Sequence, residues 1–116
     1  MVYFIRAKSY YRYALELFKD LYLLKGKPED FKKRVKSILE LGLKSIWALS
    51  QINPPEKAPS LEEIYSKVLE TLSSEEKEKM EKFYKESLSQ ELSEEEVIEA
   101  LRNFLNLVKS ILSPIL

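Results

Sequence analysis

Residues 28–51 read PEDFKKRVKSILELGLKSIWALSQ, and their apolar spacing predicts a helix at the centre of a bundle. Apolar residues recur every three or four positions, which places them on one side of an α-helix. The main stripe contains Phe31, Val35, Ile38, Gly42, Ile46 and Leu49, and it is widened by Leu39, Leu43 and Trp47. A stripe this wide is typical of a helix with several neighbours. Gly42 within it favours close approach of another backbone.

The same spacing predicts a first helix upstream of this one. It runs over about Tyr3–Lys25 and ends at Gly26, because glycine commonly terminates helices. Its apolar stripe contains Ala7, Tyr10, Ala14, Leu17, Leu21 and Leu24. Downstream, Asn53-Pro54-Pro55 ends helix two, and a crossover loop follows as far as Pro59.

Three capping signals mark helix starts in the second half of the chain. Each is a Ser with a Glu three residues later, so that the two side chains can satisfy amides at the helix start. The pairs are Ser60 with Glu63, Ser73 with Glu76, and Ser93 with Glu96. They predict helices over about Leu61–Leu72, Ser74–Ser89 and Glu94–Leu112, of which the fourth is peripheral and the fifth central. Residues 1–116 therefore form one all-α domain, a bundle of about five helices.

Composition narrows the possible functions. The 116 residues include no Cys and no His, which removes disulfides, thiolate chemistry, the common zinc ligand sets and the usual proton-transfer side chain. We therefore expect a protein that is not an enzyme, with no catalytic residues, metal, cofactor or small-molecule substrate. Paired carboxylates with a metal, or a Lys nucleophile, remain open as alternatives. No segment reads as a signal peptide or membrane span, which predicts a cytoplasmic protein without a membrane partner.

Charge is divided unevenly along this neutral chain. Residues 1–50 hold 11 Lys and Arg against 5 acids, whereas residues 51–116 hold 8 against 14. Helices one and two each place cations opposite the apolar stripe, which predicts a basic surface for RNA phosphates. The candidate RNA-binding residues are Lys8, Arg12, Lys19, Lys33, Lys36 and Lys44. An alternative is that these charges are merely solvated, or pair with the acidic half of the same molecule or a neighbour.

Five tyrosines cluster in the first helix, and they cannot all lie on its core stripe. Tyr13 is the ring most expected at the surface, where it is suited to stacking on an unpaired RNA base. The alternative is that tyrosines at helical spacing are part of the core.

Three segments resemble the small all-helical subunit of Cmr-type (type III) CRISPR effector complexes. RAKSYYRYALELF resembles the first helix of that family, FKKRVKSILELGLKSIWALSQ the second, and EALRNFLNLVKSIL the last. Two features depart from the family pattern, since Leu41 stands where Asn usually precedes the Gly-Leu and helix two has no internal proline.

The resemblance implies a non-catalytic subunit in antiviral defence. Such a subunit stacks with copies of itself and with other CRISPR effector subunits, and it lines the channel that holds guide and target RNA. Base pairing would read the sequence while the protein contacts the RNA backbone.

A second resemblance is to HEPN-type helical bundles, many of which are ribonucleases. Their motif begins with an Arg and ends with a His, with four to six residues between the two. Arg102-Asn103 resembles its start, but Leu107, Val108 and Lys109 stand where the His should be. This alternative implies a catalytically inactive bundle that partners a nucleotidyltransferase.

Overall fold

Helices account for the regular secondary structure of residues 2–50 and 59–116, the parts of the chain that the computed structural model describes. In chain order they are α1 (Val2–Lys19), α2 (Pro28–Trp47), α3 (Leu61–Thr71), α4 (Ser74–Ser87) and α5 (Glu94–Leu112). Short 3₁₀ turns cover Leu21–Leu24 and Ser113–Ile115. The predicted all-α bundle of about five helices is confirmed.

The first helix ends earlier than the sequence predicts. It stops at Lys19, and the 3₁₀ turn that follows brings Leu21 fully into the core. Arg34 of α2 donates a hydrogen bond to the carbonyl of Leu17 at 3.1 Å, which satisfies an acceptor in the last turn of α1. Gly26 has a φ of 83°, a left-handed conformation that turns the chain into α2.

The second helix is the centre of the bundle, as its wide stripe predicts. It packs against α1, α3 and α5, and seven residues of its predicted stripe are buried. These are Phe31, Val35, Ile38, Leu39, Gly42, Leu43 and Ile46. Trp47 ends the helix and is half-buried. The helix thus ends before the predicted Gln51, and a turn follows over residues 48–50. The predicted stop at Asn53-Pro54-Pro55 and most of the crossover loop lie outside the described residues.

Gly42 makes room on α2 for a side chain of α5. A Cβ atom at this position would lie 2.5 Å from Cε2 of Phe104 and 2.6 Å from its Cζ. Phe104 is fully buried, so its ring has little room to move away. Gly42 therefore serves close helix packing, but the nearest neighbour it admits is an aromatic side chain and not the backbone that the sequence predicts.

The core face of α1 is rotated from the predicted stripe. Ala7, Ala14 and Leu21 are buried as predicted, but Tyr11 is buried in place of Tyr10, which is half-buried. Tyr10 and Tyr11 lie about 100° apart around the helix, so the choice between them depends on how α1 sits on α2.

Side-chain caps begin all three helices of the second half. The hydroxyl oxygens of Ser60, Ser73 and Ser93 accept hydrogen bonds from the amides three residues on. At Ser73 and Ser93 the glutamate also accepts from the serine amide, which completes a capping box. The predicted starts of α3, α4 and α5 are confirmed.

Helix α5 is as central as predicted, and α4 packs mainly on it. Eight residues of α5 are buried, and α5 contacts α1, α2 and α4. Fully buried Met80 anchors α4, and Tyr84 stacks on Tyr65 of α3 with ring centroids 3.7 Å apart. None of the helices in the described part of the chain is long and apolar enough to cross a membrane.

Candidate nucleic-acid interface

Three predicted RNA-binding residues lie on α1, away from its buried face. Arg12 and Lys19 are exposed, and Lys8 is half-buried. Lys8 and Arg12 are one turn apart, and Lys19 follows two turns after Arg12, so helical spacing aligns the three. Their charged groups form no ion pair with the described residues. Helix α1 therefore carries a short cationic face.

The other three predicted residues lie on α2, which packs directly against α1. Lys33 and Lys36 are exposed and unpaired within residues 2–50 and 59–116. Lys44 differs, because it is half-buried and its Nζ lies 2.9 Å from Oε1 of Glu40. The i,i+4 spacing of that pair is visible in the sequence and signals partial neutralisation. We call Lys8, Arg12, Lys19, Lys33, Lys36 and Lys44 together the cationic faces of α1 and α2.

The ion pair and hydrogen bonds that join the basic and acidic halves of the described chain lie at the turn between α1 and α2. Nζ of Lys25 lies 3.3 Å from Oε1 of Glu95, and the amide of Gly26 donates to Glu94 at 3.0 Å. Neither Lys25 nor Gly26 belongs to the cationic faces. Within the described chain, intramolecular pairing with the acidic half thus leaves those faces free.

The tyrosines of the first helix separate into core and surface rings. Tyr11 is buried, and this burial raises the pKa of its phenol. Tyr13 is 59% exposed, which confirms the sequence prediction. Tyr22 is equally exposed, a result that a continuous helix over Tyr3–Lys25 does not predict, because the 3₁₀ turn changes its direction. Among the tyrosines of α1 whose side chains are described, Tyr13 is the exposed one, and it shares the helix with Lys8, Arg12 and Lys19.

A half-open cavity of about 460 Å³ lies beside the cationic face of α2. Its wall is built from the first half of α2, the start of α3, the end of α4 and the start of α5. Apolar side chains line much of it, and Lys32 and Lys36 contribute from α2. No local pattern predicts this cavity, since it joins three stretches, residues 28–36, 61–62 and 84–97, that are far apart in sequence.

The residues that resemble the HEPN motif lie partly on the surface and partly in the core. Arg102 is exposed, pairs with Glu99 one turn earlier, and lies over the ring of Phe18 at 5.7 Å from its centroid. Leu107 and Val108, which stand where that motif has a His, are buried in the core. In the described part of the chain, no three acidic side chains come together as a metal site would require.

Comparison with protein-family models, with curated proteins and with solved structures finds no match to this chain.

Proposed function

We propose that this protein is a non-catalytic RNA-binding subunit whose cationic faces on α1 and α2 contact the phosphate backbone. The resemblance of three helices to the small subunit of Cmr-type CRISPR effector complexes suggests its setting, which is an RNA-guided complex with guide and target RNA. The partners would be other effector subunits and further copies of this chain.

One observation carries the proposal. Five of the six residues on the cationic faces form no ion pair with the described residues, although the chain has as many acids as bases. Unpaired surface cations on two adjacent helices provide the charge that an RNA backbone requires. Each phosphate neutralised releases counterions, which gives affinity that depends on salt and not on sequence.

Binding of single-stranded RNA by the purified protein tests the backbone contact. The wild type should bind at low salt, and Lys33→Glu with Lys36→Glu should reduce affinity roughly 10- to 100-fold at about 50 mM salt. The matched control is Lys82→Glu with Lys85→Glu, two exposed lysines at the same spacing on α4. Unchanged affinity in the α2 variant, or an equal loss in the α4 variant, would refute the proposed surface.

Affinity capture from the native cell tests the setting. Recovery of guide RNA together with large CRISPR subunits is the expected result. Recovery of a nucleotidyltransferase without guide RNA would replace the proposal with the HEPN-like alternative.

A further inference from the structure

The cavity beside α2 has the size and composition of a small-ligand site. Its volume of about 460 Å³ falls within the range of roughly 300–1,000 Å³ that such sites occupy. Phe31 and Val35 of α2, Leu88 at the end of α4 and Leu92 before α5 form apolar parts of its wall. The surface of a flat apolar group that enters the cavity would therefore be removed from contact with water.

An ordered aromatic ring forms part of the same wall. Tyr84 lines the cavity and is held by its stack on Tyr65, with 7° between the ring planes. Because α3 supplies one ring and α4 the other, the orientation of Tyr84 is set before any ligand arrives. A rigid aromatic wall suits a planar heterocycle, since stacking then requires little loss of side-chain freedom.

The polar groups of the cavity have two signs. Lys32 and Lys36 lie one turn apart on α2, are both exposed, and form no ion pair in the described ranges. Two carboxylates also line the cavity, but Glu94 already accepts a hydrogen bond from the amide of Gly26. Glu62 at the start of α3 has no such bond to a described residue. The site thus offers cations on the α2 side and an available carboxylate on the α3 side.

We propose that this cavity takes one unpaired RNA base, with the adjoining phosphates on Lys32 and Lys36 and the base amino group on Glu62. This inference rests on the proposed function, because it assumes that RNA lies along the cationic face to which Lys36 belongs. It adds a base-binding site to a surface that otherwise contacts only the backbone. A carboxylate accepts hydrogen bonds and does not donate them, so the bases that carry amino groups, adenine, cytosine and guanine, are favoured over uracil.

An RNA oligonucleotide with abasic residues separates base binding from backbone binding, since it keeps the phosphates and lacks the bases. The wild type should bind oligo(C) or oligo(A) at least tenfold more tightly than the abasic strand. Leu92→Trp, which fills the cavity, should bring this ratio close to one and leave the abasic affinity unchanged. Leu88→Trp fills the cavity from another wall and serves if Leu92→Trp does not fold, as judged by circular dichroism. Leu23→Trp, at an exposed position outside the cavity, is the control that should keep the ratio.

Base preference gives a second readout. The wild type should prefer oligo(C) over oligo(U), and Glu62→Gln should remove that preference, because an amide both donates and accepts hydrogen bonds. Equal binding of both oligomers by the wild type would overturn the role of Glu62.

The other possible results show whether the base-binding site, the proposed function or both would be wrong. Equal binding of intact and abasic strands would overturn the base site and leave the proposed function standing, whereas no binding of either strand at low salt would overturn both. Cytidine monophosphate that binds as tightly as oligo(C) would make the cavity a free-nucleotide site. A ratio of one in the wild type, with self-association lost in Leu92→Trp, would assign the cavity to a second copy of the chain. Each of these last two results would overturn the proposal.

Discussion

Two regions of the molecule carry opposite charges, and the charges have different roles. The basic region is α1 and α2, and the acidic region is the starts of α3, α4 and α5. At the acidic helix starts, Glu76 and Glu96 complete capping boxes, Glu94 accepts from Gly26, and Glu95 pairs with Lys25. On the cationic faces of α1 and α2, only Lys44 has an ion-pair partner in the described chain. These acidic side chains form hydrogen bonds and an ion pair within the folded chain. Most of the basic side chains on the cationic faces form no such contact with the described residues.

The two halves have net charges of equal size and opposite sign, but these charges differ in their effect on folding. Acidic residues at helix starts stabilise the folded chain by satisfying amides and opposing the helix dipole. Unpaired surface cations are nearly neutral for folding and are available for a polyanion. The comparison predicts that changes on the cationic faces alter RNA affinity and leave stability unchanged, while changes at the caps do the reverse.

The largest expected effect is on RNA affinity, from charge reversal on α1. Arg12→Glu with Lys19→Glu should weaken single-stranded RNA binding by roughly 10- to 100-fold at about 50 mM salt, because two phosphate contacts become repulsive. Fluorescence anisotropy with a labelled oligonucleotide measures this change. Urea unfolding of the same variant should agree with the wild type within about 0.5 kcal/mol.

The matched control for this variant is the same charge reversal on α4. Lys82→Glu with Lys85→Glu places the same added negative charge on another surface. If the two variants lost equal affinity, net charge and not the cationic faces would account for binding.

Gly42→Ala tests whether the core and the cationic face of α2 can be separated. The new methyl group meets the buried ring of Phe104, and overpacking of this kind costs about 1–3 kcal/mol, against a gain of about 1 kcal/mol in helix propensity. We expect a net loss of up to about 2 kcal/mol in the free energy of unfolding, measured with urea. RNA affinity should not change at a temperature where the variant is folded. A variant about 1 kcal/mol more stable than the wild type, which is the full gain in helix propensity, would contradict the close contact between Gly42 and Phe104.

Ser93→Ala should lower stability without affecting RNA binding. It removes the hydroxyl that accepts from the Glu96 amide, and loss of such a cap costs about 1 kcal/mol. Ser66→Ala, at an exposed position within α3, is the control and should be nearly neutral. A loss of RNA affinity in Ser93→Ala with stability intact would reverse the assignment of the two regions.

The acidic half is also expected to show a dependence of stability on alkaline pH. Burial, then the charge of Glu81 and then Tyr84, raise the pKa of Tyr65 from 10.0 to about 12. The folded state therefore holds this proton more tightly than the unfolded state, so its contribution to stability is complete below pH 10 and is lost as the pH rises towards 12. Between pH 10 and pH 12, the free energy of unfolding of Tyr65→Phe should fall less than that of the wild type. The midpoints of urea unfolding at each pH measure this difference. Deprotonation of lysines is common to both proteins, so equal losses would contradict the shift.

Local signals predict much of this fold from the sequence. Capping by Ser60, Ser73 and Ser93 depends on residues three apart, and the predicted bounds of α5, Glu94–Leu112, match those observed. The stripe on α2 is wide enough to require a central position. The choice of Tyr11 over Tyr10 could not be predicted, because both fit the helical period and the orientation of α2 decides between them.

The candidate site is less predictable, because it depends on contacts between distant segments. The exposure of Arg12, Lys19, Lys33 and Lys36 follows from helix faces, but the absence of described ion-pair partners requires the packing of all five helices. The cavity is a stronger case. Its residues come from three separate parts of the chain, and no spacing in the sequence joins Lys36 to Tyr84.

The salt dependence of RNA affinity tests most directly whether the cationic faces of α1 and α2 bind a polyanion. Six phosphate contacts to a single strand predict that the logarithm of the association constant falls with the logarithm of salt concentration at a slope of about −4. Lys33→Glu with Lys36→Glu should reduce the magnitude of that slope by about 1.4, and Lys82→Glu with Lys85→Glu should leave it unchanged. Affinity that does not vary with salt, or a slope that changes equally in both variants, would contradict the account.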